Sequence, residues 1–215
     1  MSGEVLIGFV SAGTIRAEFM NSVLNAVAGP DADPAIGGVI SSSAGPLLAL
    51  GRNLLVQQFL GKDHEWLCCV DTDIVFSTDS VSRLLEVADP VDLPVVSALY
   101  HVFWDGKKIP AAYKATIDSE GSMTMNYIDP VPESSVMRVD AVGAGFMMVH
   151  RSVFENIQKR ASGQPAWFRE SVIGGRDHGE DISFCLRCAG VSARIYLHTG
   201  VQVGHIKSAM LGEVT

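Results

Sequence analysis

Apolar and polar residues fall in blocks along the first hundred positions, and the period changes from one block to the next. Residues 4–10 (EVLIGFV) are apolar and rich in β-branched types, which predicts a buried strand. Ser11-Ala12-Gly13 is a turn. Ile15, Phe19, Ser22, Val23 and Ala26 then recur at helical spacing until Gly29-Pro30 stops the run. Residues 36–42 predict a second strand. Gly45-Pro46 opens a helix carrying Leu47, Leu50, Leu54, Leu55 and Phe59, and Gly61 ends it. A strand over 65–70 runs into Asp71-Thr72-Asp73. Ser77 or Thr78 then caps a helix with Val81, Leu84, Leu85 and Ala88 on one face. Asp89-Pro90 breaks that helix, and residues 94–100 predict another strand.

Strand–helix alternation of this kind implies an α/β fold with a mostly parallel central sheet flanked by helices. The second half reads differently. Short strands are predicted over 111–117 and 123–128, with more extended apolar sequence over 136–150 around Gly143-Ala144-Gly145. A helix follows over 151–159. Residues 161–179 are polar and Gly-rich, contain GGRDHG, and form a loop long enough to suggest a mobile lid. The last helix carries Ile182, Cys185, Leu186 and Ala189 on one face, with Gly190 as its stop. No repeat or linker divides the 215 residues, so a single domain is expected, with a smaller mixed or antiparallel part in its second half.

Composition narrows the class. Hydrophobic residues make up 47% and charged residues 19%, a balance that suits a globular core. No apolar run is long enough to span a bilayer, and the N-terminus lacks a signal-peptide pattern, so a cytoplasmic location is expected. The net charge of -8 disfavours nonspecific binding of nucleic acid. Cys68 and Cys69 are strand neighbours pointing to opposite faces, and Cys185-x-x-Cys188 has no second such pair to complete a zinc site. Four buried, reduced cysteines are the expectation.

Three features carry candidate chemistry. Asp71 and Asp73 stand where a strand of a parallel sheet ends, the edge at which such sheets bind ligands. Two carboxylates there suit a divalent cation with hard oxygen ligands; a helix cap beside a solvated carboxylate is the plainer reading. Glu180 and Asp181 open a helix, which the helix dipole alone would favour, yet they follow the polar loop. His205 sits in VGHIK, after a glycine and two residues before Lys207, and serves equally as a structural histidine or as a metal ligand beside a phosphate-binding lysine.

Taken in order, these segments resemble the GT-A fold glycosyltransferases, especially family 2-like members. WLCCVDTDIVF resembles their D-x-D strand end, and GEDISFCLRCAGVSARIYL their acceptor-side acidic motif. VGHIK resembles their late metal-binding histidine, GRNLLVQQFL the arginine-bearing helix before the D-x-D strand, and VGAGFMMVHRSVFE the glycine-containing strand before the acidic pair. Small single-domain proteins of this type are common in bacteria and bacteriophages.

The resemblance implies a Rossmann-like GT-A fold with a nucleotide-sugar-binding half over 1–105 and an acceptor and catalytic half over 106–215. It implies a hexosyltransferase-like enzyme that uses Mn2+ or Mg2+ and a UDP- or GDP-sugar donor, with inversion at the anomeric carbon. Asp73 and His205 would bind the metal. Asp71 would reach the metal or the ribose. Ser11, Arg52, Thr72 and Lys207 would contact the donor, with Lys207 on the leaving diphosphate. Asp181 would be the general base, supported by Glu180. Its place at a helix N-terminus is expected to hold its pKa below the usual range. The other readings are a nucleotidyltransferase or nucleotide-sugar hydrolase on a similar fold, or a nucleotide-sugar binding module without catalysis. The acceptor is open: a glycan, lipid, protein or modified nucleobase.

Overall fold

β-Branched and apolar runs free of charge can be buried on both faces, and the strands at the centre of the sheet are of this kind. A computed structural model of the chain describes residues 4–161, 167–173 and 175–207. It begins β1 (Val5–Ser11), α1 (Ala17–Ala28), β2 (Ile36–Ser43), α2 (Leu48–Leu60), β3 (Trp66–Val70), β4 (Ile74–Val75), α3 (Ser80–Leu85) and β5 (Val95–Leu99). A hairpin of β6 (His101–Trp104) and β7 (Lys107–Pro110) follows, then β8 (Ala112–Ile117) and β9 (Met123–Tyr127). The chain continues with β10 (Val136–Val139), β11 (Ala141–Val142), β12 (Phe146–His150) and α4 (Arg151–Arg160). It closes with β13 (Ser171–Ile173), β14 (Arg176–His178), α5 (Glu180–Gly190), β15 (Ile195–Gln202) and β16 (Gly204–His205).

Among the described residues, seven strands form one sheet in the order β10-β15-β5-β12-β3-β1-β2. β1 pairs parallel with β2 and β3, and β15 parallel with β5, while β12 and β10 run the other way. The sheet is therefore mostly parallel in strand direction, with smaller antiparallel sheets beside it. Cys69 packs in the core on one face and Cys68 in the core on the other, as adjacent strand residues must. All four cysteines are buried and free.

Several elements depart from the sequence pattern. The core face of α2 is formed by Gly51, Arg52, Leu55, Val56 and Phe59, while Leu47 and Leu50 are exposed. The helix is rotated from the predicted face because Gly51 must lie against β1: a Cβ there would stand 2.3 Å from Val10 Cγ1. The N-cap of α3 is Asp79, not Ser77 or Thr78, and the first turn is served from afar, where Asp33 Oδ2 accepts the Ser82 N–H at 2.8 Å. α5 buries Ser183, Phe184, Cys185 and Cys188, whereas Ala189 is exposed. Gly190 is its last helical residue. Within 161–179 the expected loop contains buried Trp167 and Phe168 and the β13–β14 hairpin. Residues 162–166 and 174 of the expected lid lie outside the described residues.

Candidate functional site

Parallel strands deliver their carboxyl ends to one edge of the sheet. Ser11 closes β1, Asp71 follows β3, Tyr100 follows β5, and Val203 to His205 follow β15. The edge is sealed by short pairings. β16 pairs antiparallel with β4, placing His205 opposite Ile74, and the Ile206 N–H donates to the Asp73 carbonyl at 2.8 Å. The C-terminal strand is thereby fastened onto the Asp71-Thr72-Asp73 turn.

The candidate residues separate into two clusters. In the first, Asp73 Oδ2 lies 3.0 Å from His205 Nε2 and 3.2 Å from Lys207 Nζ. His205 Nδ1 donates to the His101 carbonyl at 2.9 Å. A carbonyl only accepts, so Nδ1 carries a proton. Nε2 then faces another acceptor, the Asp73 carboxylate, and that approach is favourable only with a second ring proton or a cation between them. A neutral imidazole anchored through Nδ1 and presenting Nε2 beside a carboxylate is the donor set of a metal ligand held by its neighbours. The ring of Tyr100 packs edge-on against His205 with centroids 5.6 Å apart.

The second cluster is centred on Arg52, which is only 3% exposed. Nη2 donates to Asp71 Oδ1 at 2.7 Å, and Nη1 donates to Glu180 Oε1. Its guanidinium lies over the ring of Phe168, 5.7 Å from the centroid. Burial works against its charge, but the carboxylates of Asp71 and Glu180 outweigh burial and push its pKa above the ordinary value. Asp71 is thus turned toward Arg52 while Asp73 is turned toward His205. Among the described residues no three His, Cys, Asp or Glu side chains are gathered as a metal site. Asp71, Asp73 and His205 border one edge without forming one ligand set.

Asp181 stands in the first turn of α5 beside Glu180, and its Oδ1 accepts the Ile182 N–H at 2.7 Å. Burial pushes the carboxyls of both Glu180 and Asp181 above their ordinary values, with Arg52 pulling the other way. The expected lowering of the Asp181 pKa is therefore reversed. A helix N-terminus favours a carboxylate by at most about 2 kcal/mol, and loss of water outweighs it here. Ser11 Oγ accepts the Gly13 N–H at 3.2 Å at the exposed end of β1, and Thr72 is half-buried in the turn. A cleft of about 520 Å³ is lined by Glu170, Ser171, Val172, Asp177, His178 and Gly179, the last of these the residue before Glu180.

Other residues shape the site without a readable signal. Asn53 accepts the Phe168 N–H at 3.0 Å and donates to the Phe168 carbonyl at 2.7 Å. Tyr100 accepts the Gly145 N–H at 3.1 Å, and a Cβ at Gly143 would stand 2.0 Å from its hydroxyl. The glycines of VGAGF exist to admit this phenol. His101 acts through its carbonyl, which any residue type supplies.

No protein-family model matches the chain, and no curated protein matches it. Solved structures do. A197 from STIV superposes with a TM-score of 0.61 at 18% identity, over 95% of this chain and 86% of that one. GalNAc-T7, solved with UDP, GalNAc and Mn2+, superposes with a TM-score of 0.61 at 12% identity, over 94% of this chain. This chain spans less than half of GalNAc-T7, covering 44% of it. At such identities the likeness concerns the fold, which is GT-A-like. Among the described residues no helix is long and apolar enough to cross a membrane.

Proposed function

We propose that the protein transfers a sugar from a nucleotide-sugar donor to an acceptor hydroxyl with the help of a divalent metal. The observation that carries this reading is the meeting of the Asp71–Asp73 strand end, the His205–Lys207 segment and the Glu180–Asp181 helix start at one edge of a GT-A-like sheet. Four carboxylates meet two fixed cations, Arg52 and Lys207. The local excess of negative charge favours a divalent cation, which in turn favours a diphosphate.

Asp73 and His205 would hold Mn2+ or Mg2+, the carboxylate being the hard oxygen ligand both ions favour and the imidazole nitrogen a softer donor that suits Mn2+ better than Mg2+. When bound, the metal neutralises charge on the leaving diphosphate. Lys207, half-exposed beside Asp73, is placed to add a second positive charge there. Ser11 and Thr72, at neighbouring strand ends, would contact the nucleotide. Asp181 would accept the acceptor hydroxyl's proton as attack proceeds. A carboxyl raised by burial is a stronger base than an ordinary aspartate and so better matched to that task. The family 2-like kinship, the inverting outcome, a UDP or GDP donor and a cytoplasmic setting in a bacterium or bacteriophage belong to the same proposal.

A panel of nucleotide-sugars and nucleoside diphosphates, each with and without Mn2+, tests it by thermal shift, since a ligand that binds only the folded state raises Tm. A metal-dependent rise with one nucleotide, followed by sugar transfer once acceptors are supplied, is expected. Turnover without acceptor would reassign the protein as a nucleotide-sugar hydrolase. Binding with no turnover of any kind would make it a binding module.

A further inference from the structure

We infer that Arg52 is a positioning residue, whose buried fork sets the spacing between Asp71 on the donor side and Glu180 on the acceptor side, and that it does not bind the donor. The inference rests on the reading of this edge as a transfer site. Both terminal nitrogens of the guanidinium are engaged by carboxylates, and the side chain is 4% exposed. The guanidinium has N–H groups beyond these two bonds, but at 4% exposure they are closed to a donor phosphate in this arrangement.

Arg52 lies 19 residues before Asp71 and 128 before Glu180, so one side chain ties α2, the end of β3 and the start of α5. Phe168 lies under the guanidinium and stacks on Phe184 of α5, with ring centroids 4.4 Å apart. Asn53, the next residue of α2, holds both backbone groups of Phe168. Gly51, the residue before, is what allows α2 to approach β1 so closely. Three consecutive residues thus fix the helix depth, the charge bridge and the segment leading to the cleft.

Only arginine performs the middle task. It presents one nitrogen to each carboxylate in a rigid plane, whereas lysine has a single nitrogen that holds both only if the two carboxylates draw together, which changes their spacing. A buried ion network is weak evidence for stability in itself. Its consequence here is geometric: Asp181 follows Glu180 in the first turn of α5, so the bridge orients the proposed base relative to the strand end.

The test uses Arg52→Lys, Arg52→Met and the gentler Glu180→Gln, each against wild type in the full chain. Hydrogen exchange on the metal-free protein reads the amides of 168–171 and 180–183. Calorimetry reads UDP and GDP with Mn2+, and kcat is measured at saturating donor. The expected result is faster exchange confined to those two segments and nucleotide affinity unchanged. The kcat loss should be about 10²-fold, which a 1 Å misplacement can cause, and Arg52→Lys should not rescue it. A tenfold loss of nucleotide affinity with kcat preserved would make Arg52 a donor ligand. Exchange rising across the whole sheet would make it merely structural. If Arg52→Met fails to fold, Glu180→Gln carries the same exchange prediction. Should wild type transfer no sugar, the transferase reading falls, while the exchange measured without substrate still decides whether Arg52 positions α5.

Discussion

Replacing Gly51 with alanine puts a methyl group into the contact between α2 and β1. Its Cβ would stand 2.3 Å from Val10 Cγ1, 3.1 Å from Cγ2 and 3.3 Å from Cβ. Carbon atoms rest about 3.5–4.0 Å apart, so the gap must open by more than ~1 Å. Valine cannot turn aside, because β-branching leaves few rotamers and two methyls already face the site. The helix has to move. Overpacking of this kind costs about 1–3 kcal/mol. Alanine returns about 1 kcal/mol of helix propensity relative to glycine. The net is a loss of roughly 0–2 kcal/mol, or up to ~8 °C in Tm for a chain of this size. The larger effect is on the neighbouring residue. A shift of ~1 Å takes the Arg52 fork away from Asp71 or Glu180 and, on the proposed transfer reading, should lower kcat by about 10²-fold. Thermal melting and steady-state transfer on the same preparation check both numbers. If the variant melts ~2–4 °C above wild type, the full propensity gain, with kcat unchanged, then α2 is not tightly seated on β1 and the reasoning fails.

Asp181→Asn should reduce kcat by about 10²–10⁴-fold with donor affinity retained; loss of donor binding would move Asp181 into the donor site. The same variant tests the burial argument. A carboxyl raised above its ordinary value of 3.8 binds its proton more tightly folded than unfolded, so wild-type stability is fully present below that value and falls as pH rises through and beyond it. The Tm of Asp181→Asn should therefore gain on wild type as pH rises above about 4, and a constant difference contradicts it. The four thiols are buried, with Cys69 and Cys185 pushed up to about 12, so a thiol reagent should react with none in the native protein and with all four after denaturation.

The sheet was legible because parallel strands with both faces covered read as unbroken apolar runs, as WLCCV and EVLIGFV do. The β6–β7 hairpin was legible only at its turn: HVFWDGKKIP lacks alternation and leaves Phe103 and Trp104 exposed, but Asp105-Gly106, both at positive φ, is the two-residue pair that closes such a hairpin. The strand-end aspartates, the acidic pair and the late histidine were visible as residue types at a strand or helix end. Which of them touch was not. Arg52 sits in a helix, where arginine is exposed by default, and its partners lie 19 and 128 positions away. The helix dipole at Asp181 could be read from the chain, whereas its burial depends on the packing around α5.

The most direct test of the transfer reading is calorimetric titration of UDP and GDP into wild type and Asp73→Ala, with and without Mn2+. Asp73 bonds to both His205 and Lys207, so its removal takes away the carboxylate that the metal and the diphosphate are proposed to share. The expected result is nucleotide binding that requires Mn2+ in wild type and disappears in Asp73→Ala, with the Tm of the free protein unchanged. Equal Mn2+-dependent affinity in the two proteins would contradict it.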